Sequence, residues 1–219
     1  YLFTSSYPFM DVDMNESPTV FLVDDDPAVR DAVGLLLRAG GLTVEGFANA
    51  AEFLATDAVR RPGCLVLDVR MPEMSGLDLQ KKLRNDGCPM PIIFMTGHGD
   101  VPMAIRAMKA GALDFIEKPF SGELLLTRVY EALAIDARDR CRQAQREAAA
   151  TRLSRLSPRE REVLDRVADG QYNKTIAAEL DISISTVEIH RRRAMEKLEA
   201  TSIADLIRTL ALANDQAAR

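Results

Sequence analysis

Acidic residues stand at the ends of two apolar runs of the sequence, and a threonine and a lysine stand at the ends of two others. They are Asp24-Asp25-Asp26 after 19–23, Asp68 in 64–69, Thr96-Gly97 at the end of 91–96, and Lys118-Pro119 after 112–117. Crowded carboxylates repel one another unless a cation binds between them, and oxygen ligands with open water positions suit Mg²⁺. An aspartate beside that ion can attack a phosphoryl group and form an acyl phosphate, while lysine and threonine contact the phosphoryl oxygens. The sequence therefore predicts phosphoryl chemistry, provided that the fold brings these positions together.

Structural interpretations compete with the chemical one at two of these positions. Asp26 precedes Pro27 and is placed to cap a helix that begins there. Lys118 could be a surface lysine in front of a turn. Asp68 ends an apolar run and is followed by VRMPEMSG, a position at which packing offers no reason for an aspartate. The chemical interpretation is therefore strongest for Asp68.

The elements that must position these residues alternate between short β-rich runs and helix-like stretches. The runs 19–23, 64–69 and 91–96 are nearly all apolar, as expected for a parallel sheet that is covered on both faces. Five β-α units predict a doubly wound α/β domain whose ligand binds beyond the carboxyl ends of the strands. The predicted strands are 19–23, 42–47, 64–69, 91–96 and 112–117, and the predicted helices are 28–39, 50–58, 76–85, 101–110 and one that begins at Glu123.

Four motifs, in this order, resemble the receiver domain of two-component response regulators. They are VDDD at 23–26, LDVRMPEMSGLDL at 67–79, MTGHGD at 95–100 and FIEKPF at 115–120. The resemblance implies a flavodoxin-like fold, with five parallel strands in the order 2-1-3-4-5. It also implies that Asp68 accepts a phosphoryl group and that Lys118 contacts that group.

The same resemblance implies a metal site and a conformational switch. The implied Mg²⁺ ligands are Asp24, Asp25, Asp68 and the backbone carbonyl of Arg70. Thr96, followed by Gly97, and Phe115 take the places of the family's switch pair, whose hydroxyl moves toward the phosphate while the ring turns inward. Phe115 lacks the hydroxyl of the tyrosine often found there, so a ring movement is possible but a tyrosine hydrogen bond is not.

Charge is distributed unevenly along the 219 residues, which is a length suited to one large domain or two modest ones. The net charge is −5, but residues 1–136 hold 12 basic and 20 acidic residues, whereas 137–219 hold 16 basic and 13 acidic. An acidic first part and a basic second part suggest two functions on one chain.

No run approaches 18 apolar residues, the three cysteines lack metal or disulfide spacing, and the first residues lack the basic start of a signal peptide. These features predict a cytoplasmic protein.

The second part of the sequence predicts a linker and four helices. Glycine and proline are absent from Glu123 to Ser157, so the fifth helix is predicted to continue as a linker, either as a solvated charged helix or as a coiled-coil seam. Ser157 and Glu160 form a capping box with proline at the first helical position. The four helices are predicted at 158–169, 173–180, 185–199 and 202–213, with Gly170 ending the first, Asn173 capping the second, and Ser185 and Glu188 forming a capping box for the third.

The third of these helices has two different faces. Val187, Ala194, Met195 and Leu198 share a side that should be buried, and the opposite side carries Ile189, Arg192, Arg193 and Glu196, with Glu188 at its edge. An exposed isoleucine among arginines suits the major groove of DNA, where it meets thymine methyl groups while arginine contacts guanine or phosphate. A merely solvated face is the alternative. Glu188 is equally suited to capping, and His190 and Arg191 to packing.

Residues 154–213 resemble the LuxR-type helix-turn-helix domain, and the whole chain resembles the FixJ class of response regulators. By position in the motif, the resemblance implies that Asn173, Lys174 and Thr186 contact the DNA backbone. It implies that Glu188, Ile189 and Arg192 face bases, with Arg193 on the same surface. The last helix would close the core and contribute to dimerisation.

The predicted function is that of a response regulator that binds double-stranded DNA and controls transcription. A sensor histidine kinase would phosphorylate Asp68, and the phosphorylated protein would form a homodimer and work with RNA polymerase. Apart from its own phosphotransfer and slow dephosphorylation, it would not be an enzyme. Two alternatives stay open, namely a phosphorylation-independent DNA-binding regulator and an Mg²⁺-dependent phosphatase with an aspartate nucleophile.

The predicted domains are a flexible extension at 1–17, a receiver domain at 18–136, a linker at 137–153 and a DNA-binding domain at 154–219.

Overall fold

The computed structural model of the chain describes residues 17–97 and 101–217. Almost all of the predicted N-terminal extension, and the last three residues of the MTGHGD motif, lie outside these residues. The chain divides into two compact units between Asp139 and Arg140. Among the described residues, no helix combines the length and the apolar character that a membrane span needs.

The first unit contains one parallel sheet of five strands. Their order is β2-β1-β3-β4-β5, which confirms the predicted topology. Every residue of β1, β3 and β4 is buried, because helices cover both faces of the sheet. The strands are β1 (Thr19–Val23), β2 (Thr43–Phe47), β3 (Gly63–Asp68), β4 (Ile92–Thr96) and β5 (Asp114–Glu117).

Four helices and the start of a fifth pack around this sheet in two apolar cores. One core lies against Phe21, Leu65 and Phe94, and the other against Leu22, Val66 and Ile93. These neighbours alternate along β1, β3 and β4, so adjacent side chains point to opposite faces. The helices are α1 (Pro27–Ala39), α2 (Ala50–Leu54), α3 (Gly76–Asn85), α4 (Val101–Lys109) and α5 (Gly122–Ser154), and α2 is shorter than the predicted 50–58 because a separate 3₁₀ turn forms at Ala58–Arg60.

The long helix α5 begins in the first unit and ends in the second. Its 33 residues include the whole segment predicted as a helical linker. In the first unit, the buried carboxylate of Asp136 accepts a hydrogen bond from the Gly63 N–H at 2.9 Å, which ties α5 to the beginning of β3.

The second unit contains the end of α5 and four shorter helices around one apolar core. These are α6 (Pro158–Ala168), α7 (Asn173–Leu180), α8 (Ile184–Lys197) and α9 (Ile203–Ala217). The predicted capping box at the start of α6 is present, with Ser157 and Glu160 each bonding the other's backbone N–H. Gly170 follows α6 with a φ of 81°, a conformation that favours glycine.

Two predicted helix caps are wrong. Asn173 is the first residue of α7 rather than its cap, and Tyr172 precedes it without a side-chain capping bond. Helix α8 begins at Ile184, because Ser183 rather than Ser185 accepts the capping bond from the Thr186 N–H. The earlier start places Ile182 just before the cap and Val187 four residues after it, so both side chains contact the same core as a hydrophobic staple.

Candidate functional site

Asp24 lies at the carboxyl end of β1 with its side chain buried. Its Oδ1 accepts a hydrogen bond from the Asp26 N–H at 3.0 Å, and its Oδ2 lies 2.8 Å from Lys118 Nζ. Its own N–H donates to the carbonyl of Phe47 in β2, at 3.2 Å. The first strand therefore delivers a buried carboxylate with both oxygens already engaged.

Asp68 lies at the carboxyl end of β3 and is 7% exposed. Its Oδ1 lies 2.7 Å from Lys118 Nζ, and its Oδ2 accepts a hydrogen bond from the Arg70 N–H at 2.7 Å. Helix α3 begins so close to this residue that a Cβ atom at Gly76 would lie 2.2 Å from the Asp68 carbonyl oxygen. Only glycine allows this approach without a backbone shift.

Lys118 connects the two aspartates from the end of β5. One ammonium group thus faces two carboxylates at 2.7 and 2.8 Å. Burial raises the pKa of Asp24 above its ordinary value, although the hydrogen bond and charge of Lys118 act in the opposite direction. Burial alone would lower the pKa of Lys118, but its bonds to both aspartates outweigh burial and raise it.

The donor set of this pocket fits a small divalent cation. Within residues 17–97 and 101–217, no three acidic, histidine or cysteine side chains are grouped as a ready-made metal site. Asp24 and Asp68 each bond to Lys118. Two carboxylates share one cation, however, and burial already disfavours the charge on Asp24. Hard oxygen donors with excess negative charge are the ligands that Mg²⁺ prefers.

The other two aspartates at the end of β1 have different positions. Asp25 is exposed, so its carboxylate is accessible from solvent. Asp26 caps α1 by accepting hydrogen bonds from the N–H groups of Ala28, at 2.8 Å, and Val29. The structural interpretation of Asp26 is therefore confirmed.

The residues predicted as the switch lie beside the same sheet edge. Thr96 is buried at the end of β4, and its carbonyl accepts a hydrogen bond from the Lys118 N–H at 2.6 Å. Gly97 is exposed. The Phe115 ring is half-buried and lies 6.4 Å from the ring of Phe94, between centroids, at a tilt of 44°.

The second candidate site is a surface of α8. Val187, Ala194 and Leu198 are buried and Met195 is half-buried, so the predicted inner face lies in the core. The opposite face, here called the α8 outer face, is exposed and consists of Glu188, Ile189, Arg192, Arg193 and Glu196.

The remaining candidate residues of this unit differ in their exposure. Lys174 is exposed near the start of α7, whereas Asn173 is half-buried. The half-buried Thr186 shares a hydrogen bond of 2.7 Å with the Ser183 hydroxyl. His190 and Arg191 are half-buried between the two faces, which favours packing over base contact.

Sequence reasoning missed Arg30, whose Nη1 donates to the backbone carbonyl of Asp24 at 2.7 Å. The only available signal was its place on the predicted first helix, six residues after Asp24. It also missed the reason for Gly76, which lies inside the VRMPEMSG segment and lets α3 approach Asp68.

Comparison with known proteins gives consistent matches for both units. The sequence matches the response regulator receiver domain over residues 20–130 and the luxR family of bacterial regulatory proteins over residues 154–210. It is 45% identical to the response regulator protein TodT of Pseudomonas putida over 89% of this chain and 86% of that protein. It is 44% identical to the transcriptional regulatory protein FixJ of Azorhizobium caulinodans over 91% of this chain and 95% of that protein. Among solved structures, the response regulator StyR is similar with a TM-score of 0.84 and 43% identity, over 90% of this chain and 99% of that one.

Proposed function

The chain belongs to the response regulators that join a receiver domain to a LuxR-type DNA-binding domain, and on this premise we propose that phosphorylation of Asp68 controls its binding to DNA. The observation that carries the proposal is Lys118 Nζ, which lies 2.8 Å from Asp24 and 2.7 Å from Asp68. The receiver domain then comprises residues 18–136, the linker 137–153 and the DNA-binding domain 154–219.

In the proposed reaction, a carboxylate oxygen of Asp68 attacks the phosphoryl group on a histidine of a sensor kinase. The P–N bond breaks, its electron pair stays with the histidine, and an acyl phosphate forms on Asp68. The Arg70 N–H and Lys118 orient the carboxylate before the attack. Lys118 also offsets charge on the phosphoryl oxygens, and water later cleaves the acyl phosphate slowly.

Receiver domains generally use Mg²⁺ for phosphorylation, and we propose that this chain does so too. Asp24, Asp25, Asp68 and the backbone carbonyl of Arg70 would hold the ion. The bound ion would offset negative charge on the phosphoryl oxygens. Asp25 suits this role because it is exposed, whereas both carboxylate oxygens of Asp24 are already engaged.

The conformational response is proposed to pass through Thr96, Gly97 and Phe115. The Thr96 hydroxyl would turn toward the phosphoryl group and the Phe115 ring would move inward. This state would favour a homodimer through α4, β5 and α5. The phosphoryl group would shift the receiver domain toward this active state because it interacts better with it than with the inactive state. Two DNA-binding domains would then engage two half-sites and act with RNA polymerase. Since both partners lie in the cytoplasm, the protein would act there.

The α8 outer face is proposed to enter the major groove. Glu188, Ile189 and Arg192 would meet base edges, and Arg193 is available to either a base or a phosphate. Asn173, Lys174 and Thr186 would contact the DNA backbone and fix the register of the domain. The exposure of Ile189 next to Arg192 supports this assignment, because an apolar group beside arginines suits thymine methyl groups and guanine or phosphate in the major groove.

The central experiment measures DNA affinity and oligomeric state with and without Mg²⁺ and beryllofluoride, an analogue of the aspartyl phosphate. We expect tighter DNA binding and dimer formation in the wild type and no response in Asp68→Asn. The same variant should lose acid-labile ³²P labelling from a phosphorylated kinase. If the analogue changes neither affinity nor oligomeric state, the protein is a phosphorylation-independent regulator. Persistent labelling of Asp68→Asn would move the phospho-acceptor to another residue.

The DNA contacts are tested by Arg192→Ala and Lys174→Ala. If Arg192 makes a bidentate base contact, its loss should cost about 1–3 kcal/mol on the specific site and much less on random DNA. Loss of Lys174 should weaken binding to both DNAs alike. It should also reduce the slope of log affinity against log salt concentration by about one. Arg161→Ala, on α6, removes the same charge elsewhere and is the control. An equal loss on both DNAs for Arg192→Ala would reassign it to phosphate.

A further inference from the structure

A glycine lies inside the edge strand β2, where a β-branched residue would favour the strand. Gly46 is paired with Leu22 of β1. A Cβ atom at this position would lie 3.4 Å from both Cγ and Cδ of Arg30. Glycine within a strand often marks the close approach of another group. Here that group is the aliphatic part of the Arg30 side chain, which lies across β2 at Gly46.

The guanidinium of Arg30 reaches from this position to the end of β1. Its Nη1 donates to the Asp24 carbonyl at 2.7 Å, while the Asp24 N–H donates to Phe47 at 3.2 Å. The two carboxylate oxygens bond to the Asp26 N–H and to Lys118. With Arg30 in place, every polar atom of Asp24 has a partner. Arg30 therefore completes the set of bonds that fixes the turn from β1 into Asp25.

We propose that Arg30, seated over Gly46, is a positioning residue for the Mg²⁺ and phosphoryl site. The inference rests on the function proposed above. A charged donor makes a stronger hydrogen bond to a carbonyl than a neutral donor does. Without Arg30, the Asp24 carbonyl loses its bond from the guanidinium, and a cation meets a less ordered set of ligands at the turn that presents Asp24 and Asp25.

The main experiment is a calorimetric titration of the full-length chain with Mg²⁺. Arg30→Met keeps the bulk of the aliphatic stem and removes the donor, and we expect it to weaken Mg²⁺ binding about tenfold. Arg30→Lys should recover part of this loss because it keeps a charged donor. Arg38→Met removes the same charge from the far end of α1 and should leave the affinity unchanged.

A kinetic measurement separates positioning from chemistry. Asp68 is labelled from acetyl phosphate over a range of Mg²⁺ concentrations. In Arg30→Met, the half-saturating Mg²⁺ concentration should rise about tenfold, while the rate at saturating Mg²⁺ stays within about twofold of the wild type. A lower rate at saturation with an unchanged half-saturating concentration would overturn the proposal.

Substitutions at Gly46 test the same contact from its other side. Gly46→Val should displace the Arg30 stem and weaken Mg²⁺ binding as Arg30→Met does, although valine favours a strand. Gly46→Ala should behave as the wild type, because its Cβ atom fits at 3.4 Å. Combining Arg30→Met with Gly46→Val should weaken binding no further than the more severe single variant, since both remove one interaction.

The outcomes distinguish this inference from the proposed function. If the wild type binds Mg²⁺ and Arg30→Met binds it equally well, Arg30 is not a positioning residue. A lower unfolding temperature in Arg30→Met with unchanged Mg²⁺ affinity would assign it a purely structural role and overturn the inference. If the wild type itself binds no Mg²⁺ and accepts no phosphoryl group, the proposed function fails.

Discussion

Two buried carboxylates, one in each unit, bond to a lysine at similar distances but differ in their charge balance. Asp24 lies 2.8 Å from Lys118 in the first unit, and Glu160 lies 2.6 Å from Lys197 in the second. Burial raises the pKa of Asp24. The hydrogen bonds from Lys197 and the Ser157 N–H lower the pKa of Glu160.

The opposite pKa shifts have different causes. Burial is the largest cause at Asp24, with a further rise from the charge of Asp68, whereas the hydrogen bond from Lys197 is the largest cause at Glu160. Asp24 shares Lys118 with Asp68, whereas Glu160 has Lys197 and a capping box as its partners. A carboxylate with balanced charge stabilises the fold. A pocket with more negative than positive charge costs stability and retains affinity for a further cation. The residue types are alike, so the partners of each carboxylate separate the candidate functional site from the structural pair.

Of the predicted changes, the largest is the fall in the phosphorylation rate of Asp68 when Lys118 is removed. Lys118→Met takes away a side chain that bonds both Asp24 and Asp68. Loss of a charged group that stabilises a transition state costs about 100-fold or more in rate. We therefore expect the rate of Asp68 labelling from acetyl phosphate, at saturating Mg²⁺, to fall by about that factor.

Lys82→Met provides the matched control for this prediction. Lys82 is an exposed lysine of α3 that pairs with Asp86 at 3.3 Å, and its loss should leave the labelling rate unchanged. If Lys118→Met is labelled as fast as the wild type, Lys118 is a structural partner of the two aspartates, and the contrast with Lys197 disappears.

The sheet and its carboxylate pocket could be predicted because one physical rule links them to the sequence. Apolar runs that end in aspartate, threonine or lysine form buried parallel strands, and such strands end at one edge. The strand order and the meeting of Asp24, Asp68 and Lys118 follow from that rule together with the receiver resemblance. The exposed Ile189 and Arg192 could be placed in the same way, because helical periodicity separates them from the buried Val187.

Arg30 and the start of α8 could not be predicted, because both depend on contacts between elements. Nothing local distinguishes Arg30 from the other arginine of α1, and its role appears only where β2 has a glycine beside it. Ser183 and Ser185 are equally good caps in the sequence. The packing of Ile182 and Val187 into one core decides between them.

Glu160, whose charge is balanced by Lys197, should contribute stability to the second unit. Glu160→Gln removes the charge that bonds Lys197, and it weakens the bond to the Ser157 N–H. Loss of a cap and of a charge-assisted hydrogen bond costs about 1–2 kcal/mol. We expect this loss in the free energy of opening of α6 and α8, measured by hydrogen exchange of their amides at pH 7.

The effect of Glu160→Gln should depend on pH in a defined direction. Because the pKa of Glu160 is lowered in the fold, its contribution is present above the ordinary glutamate value of 4.5 and is lost as the pH falls through the folded value. The difference between the variant and the wild type should therefore shrink in acid. Glu162→Gln, at an exposed pair with Arg159, should change little at either pH. A pH-independent loss would show that the charge of Glu160 is not what stabilises α6.

Removing the charge of Asp24 should stabilise its unit, whereas removing the charge of Glu160 destabilises the other unit. We expect this to be the smallest effect of the three substitutions, after those at Lys118 and Glu160. Burial raises the folded-state pKa of Asp24 above its ordinary value of 3.8, so the fold favours the neutral carboxyl. The resulting stability is present below that value and is lost as the pH rises through the folded-state pKa. At pH 7 without divalent cations, Asp24→Asn should therefore raise the free energy of unfolding of the first unit by about 1 kcal/mol.

Two controls complete the test of Asp24→Asn, namely a measurement at low pH and the variant Asp25→Asn. Below pH 3.8 the wild-type carboxyl is neutral in both the folded and the unfolded states, so the gain from asparagine should vanish. Asp25→Asn makes the same charge change at an exposed position and should alter the stability little. Hydrogen exchange of the β1 and β3 amides, in EDTA, measures all of these changes within the first unit. If Asp24→Asn instead destabilises the unit at pH 7, as Glu160→Gln does the second, then Lys118 balances both aspartates and the pocket has no excess charge to offer a cation.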